Sequence, residues 1–310
     1  MRTARWPPGR IAVQPTPGRY PDGGRLFRLM EVSPTWRHGA PGGRGAGPGG
    51  VPEPGRMDPD RVLDDVPPDA LEGRVVLVTG GSRGIGLAAA TACARLGATV
   101  VLVGRDPGRA RDAAEALVAA GLDAVGHGCD VSDPAAVAHL QGELGPLAAV
   151  DALILAAGVI GDRMAKTLRA TPEQWHEVMA TNLDGVHHVV RAFGPGMVER
   201  RDGRIVAVSA CLGRMSGPGT AGGLSAYRVS KAAVNAYVKN LAAETGQGRR
   251  GVLVDATCPA HCRTDMGGPD APRSAEQGAA TAVWLVARPL TGTEGISTGL
   301  LWEDREVVPW

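Results

Sequence analysis

Lysine and the aromatic residues are scarce in this chain of 310 residues: three Lys, three Tyr, two Phe and six Trp. No basic stripe interleaved with aromatics occurs beyond residue 56, which speaks against a nucleic-acid partner. No run of 18 apolar residues free of charge is present, so no segment reads as a membrane span. Cysteine is limited to five residues, an odd number without regular spacing, the usage expected of reduced thiols in a cytosolic protein. Cys258, His261 and Cys262 crowd into "CPAHC", but no second ligand pair follows at matching spacing, so no metal is expected.

Glycine and proline, by contrast, are plentiful at one end. Residues 1–56 hold 10 Pro and 12 Gly, too many helix and strand breakers for a packed core. Nine Arg stand there against three acidic residues, yet "APGGRGAGPGGVPEPG" has no amphipathic face suited to a transit peptide and no apolar run suited to a secretory signal. The segment reads either as a disordered tail or as an over-extended reading frame, with Met57 the true start. Residues 57–310 carry 24 basic and 29 acidic side chains, a mildly acidic balance.

From Arg74 onward, apolar runs alternate with stretches of helical spacing. "RVVLVTG", "TVVLVGR", "DAVGHGCD", "VDALILAAG", "GRIVAVSA" and "GVLVDATCP" read as strands. Helices lie between them, one with proline in its first turn and one opened by Asp133 and Pro134. Continuous apolar strands separated by helices predict an α/β fold, a doubly wound parallel sheet in a single domain, 57–310. Ligands of such sheets bind beyond the carboxyl ends of the strands, where strand order reverses.

"TGGSRGIG" (79–86) joins the first strand to the first helix. Gly80, Gly84 and Gly86 there let a backbone of bare N–H groups approach an anion, although glycines also close any tight turn. At the end of the second strand, where a carboxylate would receive ribose hydroxyls, stands Gly104, followed by Arg105; Arg83 lies in the glycine turn. Two guanidiniums without a competing acid favour a 2′-phosphate, hence NADP(H) over NAD(H), unless both are plain surface residues.

Tyr227 precedes Lys231 by four residues in "LSAYRVSKAAV", one turn apart on one helical face. Such a pair is either an exposed coincidence or a phenol whose ionisation a neighbouring charge eases. The ordered set "TGGSRGIG", "CDVSD", "LAAG", "TNLDG", "GRIVAVSA", "YRVSK" and "CPAHCRTDMGG" decides between them, because together it resembles the classical short-chain dehydrogenase/reductase family from about Glu72 to Trp310. The ending "AVWLVA" with "WEDREVVPW" is similar to its carbonyl-reductase-like branch. The resemblance implies a Rossmann-type NAD(P)-binding domain. Tyr227 is then the general acid and base, Lys231 its electrostatic partner and a ligand of the nicotinamide ribose, and Asn182 the support of a proton relay. It assigns cofactor contacts to Gly80, Ser82, Arg83, Gly84, Ile85, Gly86, Arg105, Asp130, Val131, Ala156, Ala157, Gly158, Tyr227, Lys231, Pro259 and Thr264. Taken alone, Asn182 is a polar helix residue, and Asp130 and Thr264 are caps.

The chain departs from the family pattern in three places. Leu155 and Ala156 stand where two asparagines are usual. Ala260 replaces a glycine, with His261 beside it as a loop histidine or a pocket residue. Ala210 occupies the position of the carbonyl-polarising serine, which leaves Ser209 as the candidate, although strand alternation aims its side chain away; Ser216 and Ser225 are substitutes. His187 and His188 read as structural or interfacial. The expected function is NADPH-dependent reduction of a ketone or aldehyde, in a cytoplasmic protein forming a dimer or tetramer. The rival is a nucleotide-binding regulator that retains the cofactor site with weakened catalysis.

Overall fold

The computed structural model describes residues 63, 65–163, 166–289 and 297–310. The chain divides into the units Met1–Pro52 and Glu53–Trp310, and all described residues belong to the second. The expectations for residues 1–56 and for the Met57 boundary lie outside the described residues.

Eight strands form one sheet in the order β3-β2-β1-β4-β5-β6-β7-β8. They are β1 (Val75–Thr79), β2 (Thr99–Gly104), β3 (Ala124–Gly128), β4 (Ala152–Leu155), β5 (Gly203–Val208), β6 (Val252–Thr257), β7 (Leu301–Glu303) and β8 (Glu306–Val308). The first seven run parallel, and β8 returns antiparallel on β7. That last hairpin differs from the all-parallel expectation. It turns through Asp304 and Arg305, both at positive φ, where Arg273 grips the Asp304 carboxylate with two hydrogen bonds of 2.6 Å.

Alternate residues of each strand enter opposite cores, as the period of two requires. Leu77, Leu153 and Ile205 face one side, packed by helices α3 (Pro134–Glu143), α5 (Gly185–Arg200) and α6 (Ser225–Glu244). Val76, Ile154 and Val206 face the other, covered by α1 (Gly84–Arg95), α2 (Pro107–Ala119) and α7 (Ala275–Ala287). The remaining helix, α4 (Pro172–Met179), lies at the carboxyl end of the sheet beside α6.

Helix starts follow local chemistry. Asp106 accepts from Gly108 N at 2.9 Å ahead of Pro107, and Asp133 accepts from Ala135 N at 2.8 Å ahead of Pro134. Thr171 and Gln174 form a capping box at α4. Between α4 and α5 the chain widens into a π-helical turn over Ala180–Asp184, which the helical pattern around Asn182 does not announce. Among the described residues no helix is long and apolar enough to cross a membrane.

Candidate active site

Strand order reverses between β1 and β4, and beyond the carboxyl ends of the strands opens a cleft of about 1630 Å³. The glycine turn after β1 forms one wall. Gly84 has φ +55°, and Gly86 brings α1 so close to β1 that a Cβ there would lie 2.2 Å from the Gly80 carbonyl oxygen. No side chain caps α1 and no acid occupies its first turn, so its amide groups meet the cleft without a competing protein acceptor. This arrangement fits an anionic diphosphate. Gly80, Ser82, Arg83 and Ile85 line the same wall.

Arg105 is exposed at the end of β2. A side chain at Gly104 would meet Ser82 Oγ at 2.9 Å, so a ribose-binding carboxylate there would require the Ser82 hydroxyl to turn aside. Arg83, in contrast, has a competing acid after all. Its guanidinium donates to Asp265 from the loop after β6, a partner 182 residues away that the local sequence does not disclose. Asp130 and Val131 line the cleft after β3. The Asp130 carboxylate accepts from Ser132 Oγ at 2.7 Å and Ser132 N at 3.0 Å, bonds that hold it below the usual carboxylate range.

At the floor, β4 delivers Ala156, Ala157 and Gly158, and α6 delivers Tyr227 and Lys231. The Lys231 Nζ lies 5.8 Å from the centre of the Tyr227 ring and donates to Val208 O at 2.7 Å. Burial lowers the ammonium of Lys231 to about 8 and pushes the Tyr227 phenol upward, the nearby Cys258 and Cys211 adding to the latter. A Cβ on Gly158 would sit 3.6 Å from Lys231 Nζ and 3.3 Å from Asn182 Oδ1, so both side chains converge on bare backbone.

Asn182 is fully buried, and its amide ties three elements together. Its Oδ1 accepts from Val159 N at 2.8 Å, while Nδ2 donates to Val159 O at 2.9 Å and to Ser230 Oγ at 3.0 Å. The π turn supplies the extra residue that lets this amide reach the exit of β4 and α6 at once. Pro259 and Thr264 line the cleft on the β6 side. Thr264 Oγ1 accepts from Gly267 N at 3.0 Å, the capping role, while its methyl side abuts Gly84.

Ser209 is among the residues that line the cleft, at a buried position. Its hydroxyl donates to Asn235 Oδ1 at 2.5 Å and approaches Lys231 O at 3.3 Å, which fastens β5 to α6 and engages the proton that would polarise a carbonyl. Ser216 and Ser225 lie outside the residues that line the cleft. Ala260 adopts φ +56°, a left-handed conformation that suits the glycine it replaces. His261 is exposed and bonded to Gly267 O at 2.8 Å, and Cys262 Sγ donates to Pro259 O, so the "CPAHC" side chains diverge. His188 pairs with Val131 O and His187 with the Tyr237 hydroxyl.

Sequence reasoning overlooked Asn235, Asp265, Leu224 and Cys211. Asn235 follows Lys231 by four residues, so the spacing that joins Tyr227 to Lys231 already contained it. The others come from loops, whose paths only the assembled sheet defines.

The profile of the short chain dehydrogenase family matches residues 74–274. This chain belongs to that family. The enzyme is an NAD(P)-dependent oxidoreductase, and its sheet is the Rossmann type of its relatives. It is 35% identical over 202 residues to a 3-oxoacyl-[acyl-carrier-protein] reductase of Pseudomonas aeruginosa, a match covering 64% of this dehydrogenase and 77% of that protein. Among solved structures it is similar to a 3-oxoacyl-[acyl-carrier protein] reductase with bound NAD from Brucella melitensis, with TM-score 0.67, 29% identity and coverage of 78% and 93%. A metagenomic short-chain oxidoreductase in complex with NADP aligns with TM-score 0.64 and 31% identity, covering 76% of this chain and 98% of the other.

Proposed function

We propose that this short-chain dehydrogenase reduces a ketone or aldehyde to an alcohol with NADPH, Tyr227 giving the proton and Lys231 steadying the phenolate that remains. The observation that carries this reading is the buried Tyr227 with the Lys231 ammonium 5.8 Å from its ring centre, at the floor of a cleft whose far wall fits a diphosphate. A bound nicotinamide would supply the hydride. The first turn of α1, with Gly80, Ser82, Arg83, Gly84, Ile85 and Gly86, would hold the diphosphate. Arg105, Asp130 and Val131 would face the adenosine half, and Ala156, Ala157, Gly158, Pro259 and Thr264 the nicotinamide half.

Burial keeps the Tyr227 phenol protonated at neutral pH, so the acid needed for reduction is the resident form. As negative charge grows on the carbonyl oxygen, the phenol releases its proton, and the Lys231 charge compensates below pH about 8. The protonated phenol serves reduction, and the phenolate would serve the reverse reaction. Asn182 and Ser209 act as positioning residues, holding the exits of β4 and β5 against α6. Ala210, Leu212, Leu224, Val159, Ile160 and Met266 gather around Tyr227, an apolar wall that favours an apolar substituent and the carbonyl-reductase-like branch. The exposed Arg105 and the crowding at Gly104 favour the 2′-phosphate of NADPH, with NADH as a poorer substitute. We place the protein in the cytoplasm and expect a homo-oligomer built on the faces of α5 and α6, measurable by light scattering.

NADPH oxidation with a panel of carbonyl compounds tests the reading. Tyr227→Phe lowers kcat/KM by about 100- to 10,000-fold; equal rates in the two proteins refute the proton role. Arg105→Ala raises KM for NADPH by about 10- to 100-fold and leaves NADH almost unchanged. An equal effect on both cofactors refutes the phosphate contact.

The engaged hydroxyl of Ser209, together with Ala210, favours a second reading: an NADP(H)-binding regulator with weakened catalysis. Loss of one oxyanion donor costs on the order of 100- to 1,000-fold in rate. Under that reading NADPH binds, no carbonyl on the panel turns over, and Ala210→Ser restores activity.

A further inference from the structure

Cys211 at the cleft and Cys258 buried behind it have no part in proton transfer or cofactor binding. Cys211 opens the turn after β5 and Cys258 follows β6. The two strands are parallel neighbours with Val208 opposite Thr257, and Ser209 N donates to Thr257 O at 2.8 Å, so the strand exits lie side by side. Cys258 Sγ accepts from Cys211 N at 3.0 Å and from Ala260 N at 3.4 Å. The two thiols are near enough that each shifts the ionisation of the other. In register Cys258 falls opposite Ser209, and the turn that Cys211 opens brings its backbone nitrogen to 3.0 Å from Cys258 Sγ, close enough for the Cys211 side chain to turn toward that sulfur and close a disulfide. Of the five cysteines, Cys93, Cys129, Cys258 and Cys262 are buried; Cys211 is half-buried and lines the cleft.

We propose that Cys211 and Cys258 form an oxidant-sensitive couple in which a peroxide entering the cleft oxidises Cys211 and Cys258 closes a disulfide with it. One thiol of such a pair keeps its proton and donates it to the other. The neighbouring Cys211 and then burial keep the proton on Cys258, while Cys258 in turn lowers the Cys211 thiol below its ordinary value against the burial that raises it, with Arg214 opposed by Glu303 at longer range. The Cys211 thiolate attacks one peroxide oxygen and the O–O bond breaks. Cys211 becomes a sulfenic acid, and the hydroxide released takes up a proton to become water. The Cys258 sulfur then attacks the sulfenic sulfur, the S–S bond forms, and the sulfenic hydroxyl leaves with the Cys258 proton as a second water. Two thiols give up two electrons and two protons, and one hydrogen peroxide becomes two waters.

The cross-link binds the exit of β5 to that of β6. Ala210, next to Cys211, packs in the cluster that contains Tyr227, and Pro259, next to Cys258, lines the cleft. The oxidised form therefore has a displaced wall beside Tyr227.

The full-length protein is treated with hydrogen peroxide and followed by intact mass, peptide mapping and dimedone labelling. The expected product is about 2 Da lighter, with a Cys211–Cys258 linked peptide that dithiothreitol cleaves. In Cys258→Ser the reaction stops at a dimedone-reactive Cys211, about 16 Da heavier before labelling, and Cys211→Ser gives neither product. Oxidation confined to Cys93, Cys129 or Cys262, stable oxygen addition at Cys211 without a cross-link in the wild type, or no reaction at all overturns the proposal. These readouts are independent of carbonyl turnover. Where turnover is measurable, the disulfide form loses at least about 10-fold in rate and regains it on reduction.

Discussion

Lys231 carries a cost as well as a role. Burial brings its ammonium from 10.5 to about 8, a destabilisation of about 3 kcal/mol while it remains charged. Because the folded value lies below the unfolded one, the stability tied to this group is fully present above pH 10.5 and is lost as pH falls through about 8. Lys231→Met is expected to abolish turnover while stabilising the fold at pH 7 by about 1–3 kcal/mol, less the bond to Val208 O. Urea melts at pH 7 and pH 10 check it: the gap between variant and wild type shrinks at the higher pH. Ser209 teaches the converse at the same scale. Its position one residue before Ala210 was legible, and strand alternation predicted that it points away, whereas it lines the cleft. Its partner Asn235 decides what the hydroxyl does instead.

At the scale of elements, the π turn over Ala180–Asp184 joins the chain's two halves of the site. Through Asn182 it holds the backbone after β4 and Ser230 of α6 in one geometry. Asn182→Ala leaves half-buried Val159 N and O without these partners and is expected to cost about 1–3 kcal/mol. Differential scanning calorimetry shows this as a lower Tm, accompanied by a fall in kcat. The strands and most helices were legible from apolar runs and prolines at helix starts, because those signals are local. The π turn was not, since a single inserted residue barely disturbs helical periodicity and its benefit arises only from distant acceptors.

For the whole molecule, the far end of the sheet rests on a buried ion pair. Asp255 of β6 is fully buried and accepts from Arg288 Nη2 at 2.5 Å, Trp302 Nε1 at 3.0 Å and Leu300 N at 3.1 Å. Arg288 follows α7 and lies 5.4 Å from the ring centres of both Trp284 and Trp302, so one cation clamps β6, α7 and β7. Burial raises the Asp255 carboxyl despite this pairing. Arg288→Met strands that charge and is expected to cost about 3–5 kcal/mol at pH 8. With the folded value raised, the carboxyl is favourable below the ordinary carboxylate range and its burial cost grows as pH rises. The loss is therefore smaller at pH 5, as guanidinium melts at the two pH values will register.

The sequence by itself determined the parallel sheet, the glycine turn at a helix start, and a tyrosine and lysine on one helical face, because each depends on residues within a few turns of one another. Tertiary structure alone decided that Arg83 meets Asp265, that Ser209 bonds to Asn235, and that Cys211 lies against Cys258. Those pairs join strand exits and loops far apart in the chain, and only the lateral order of the strands brings them within hydrogen-bonding distance.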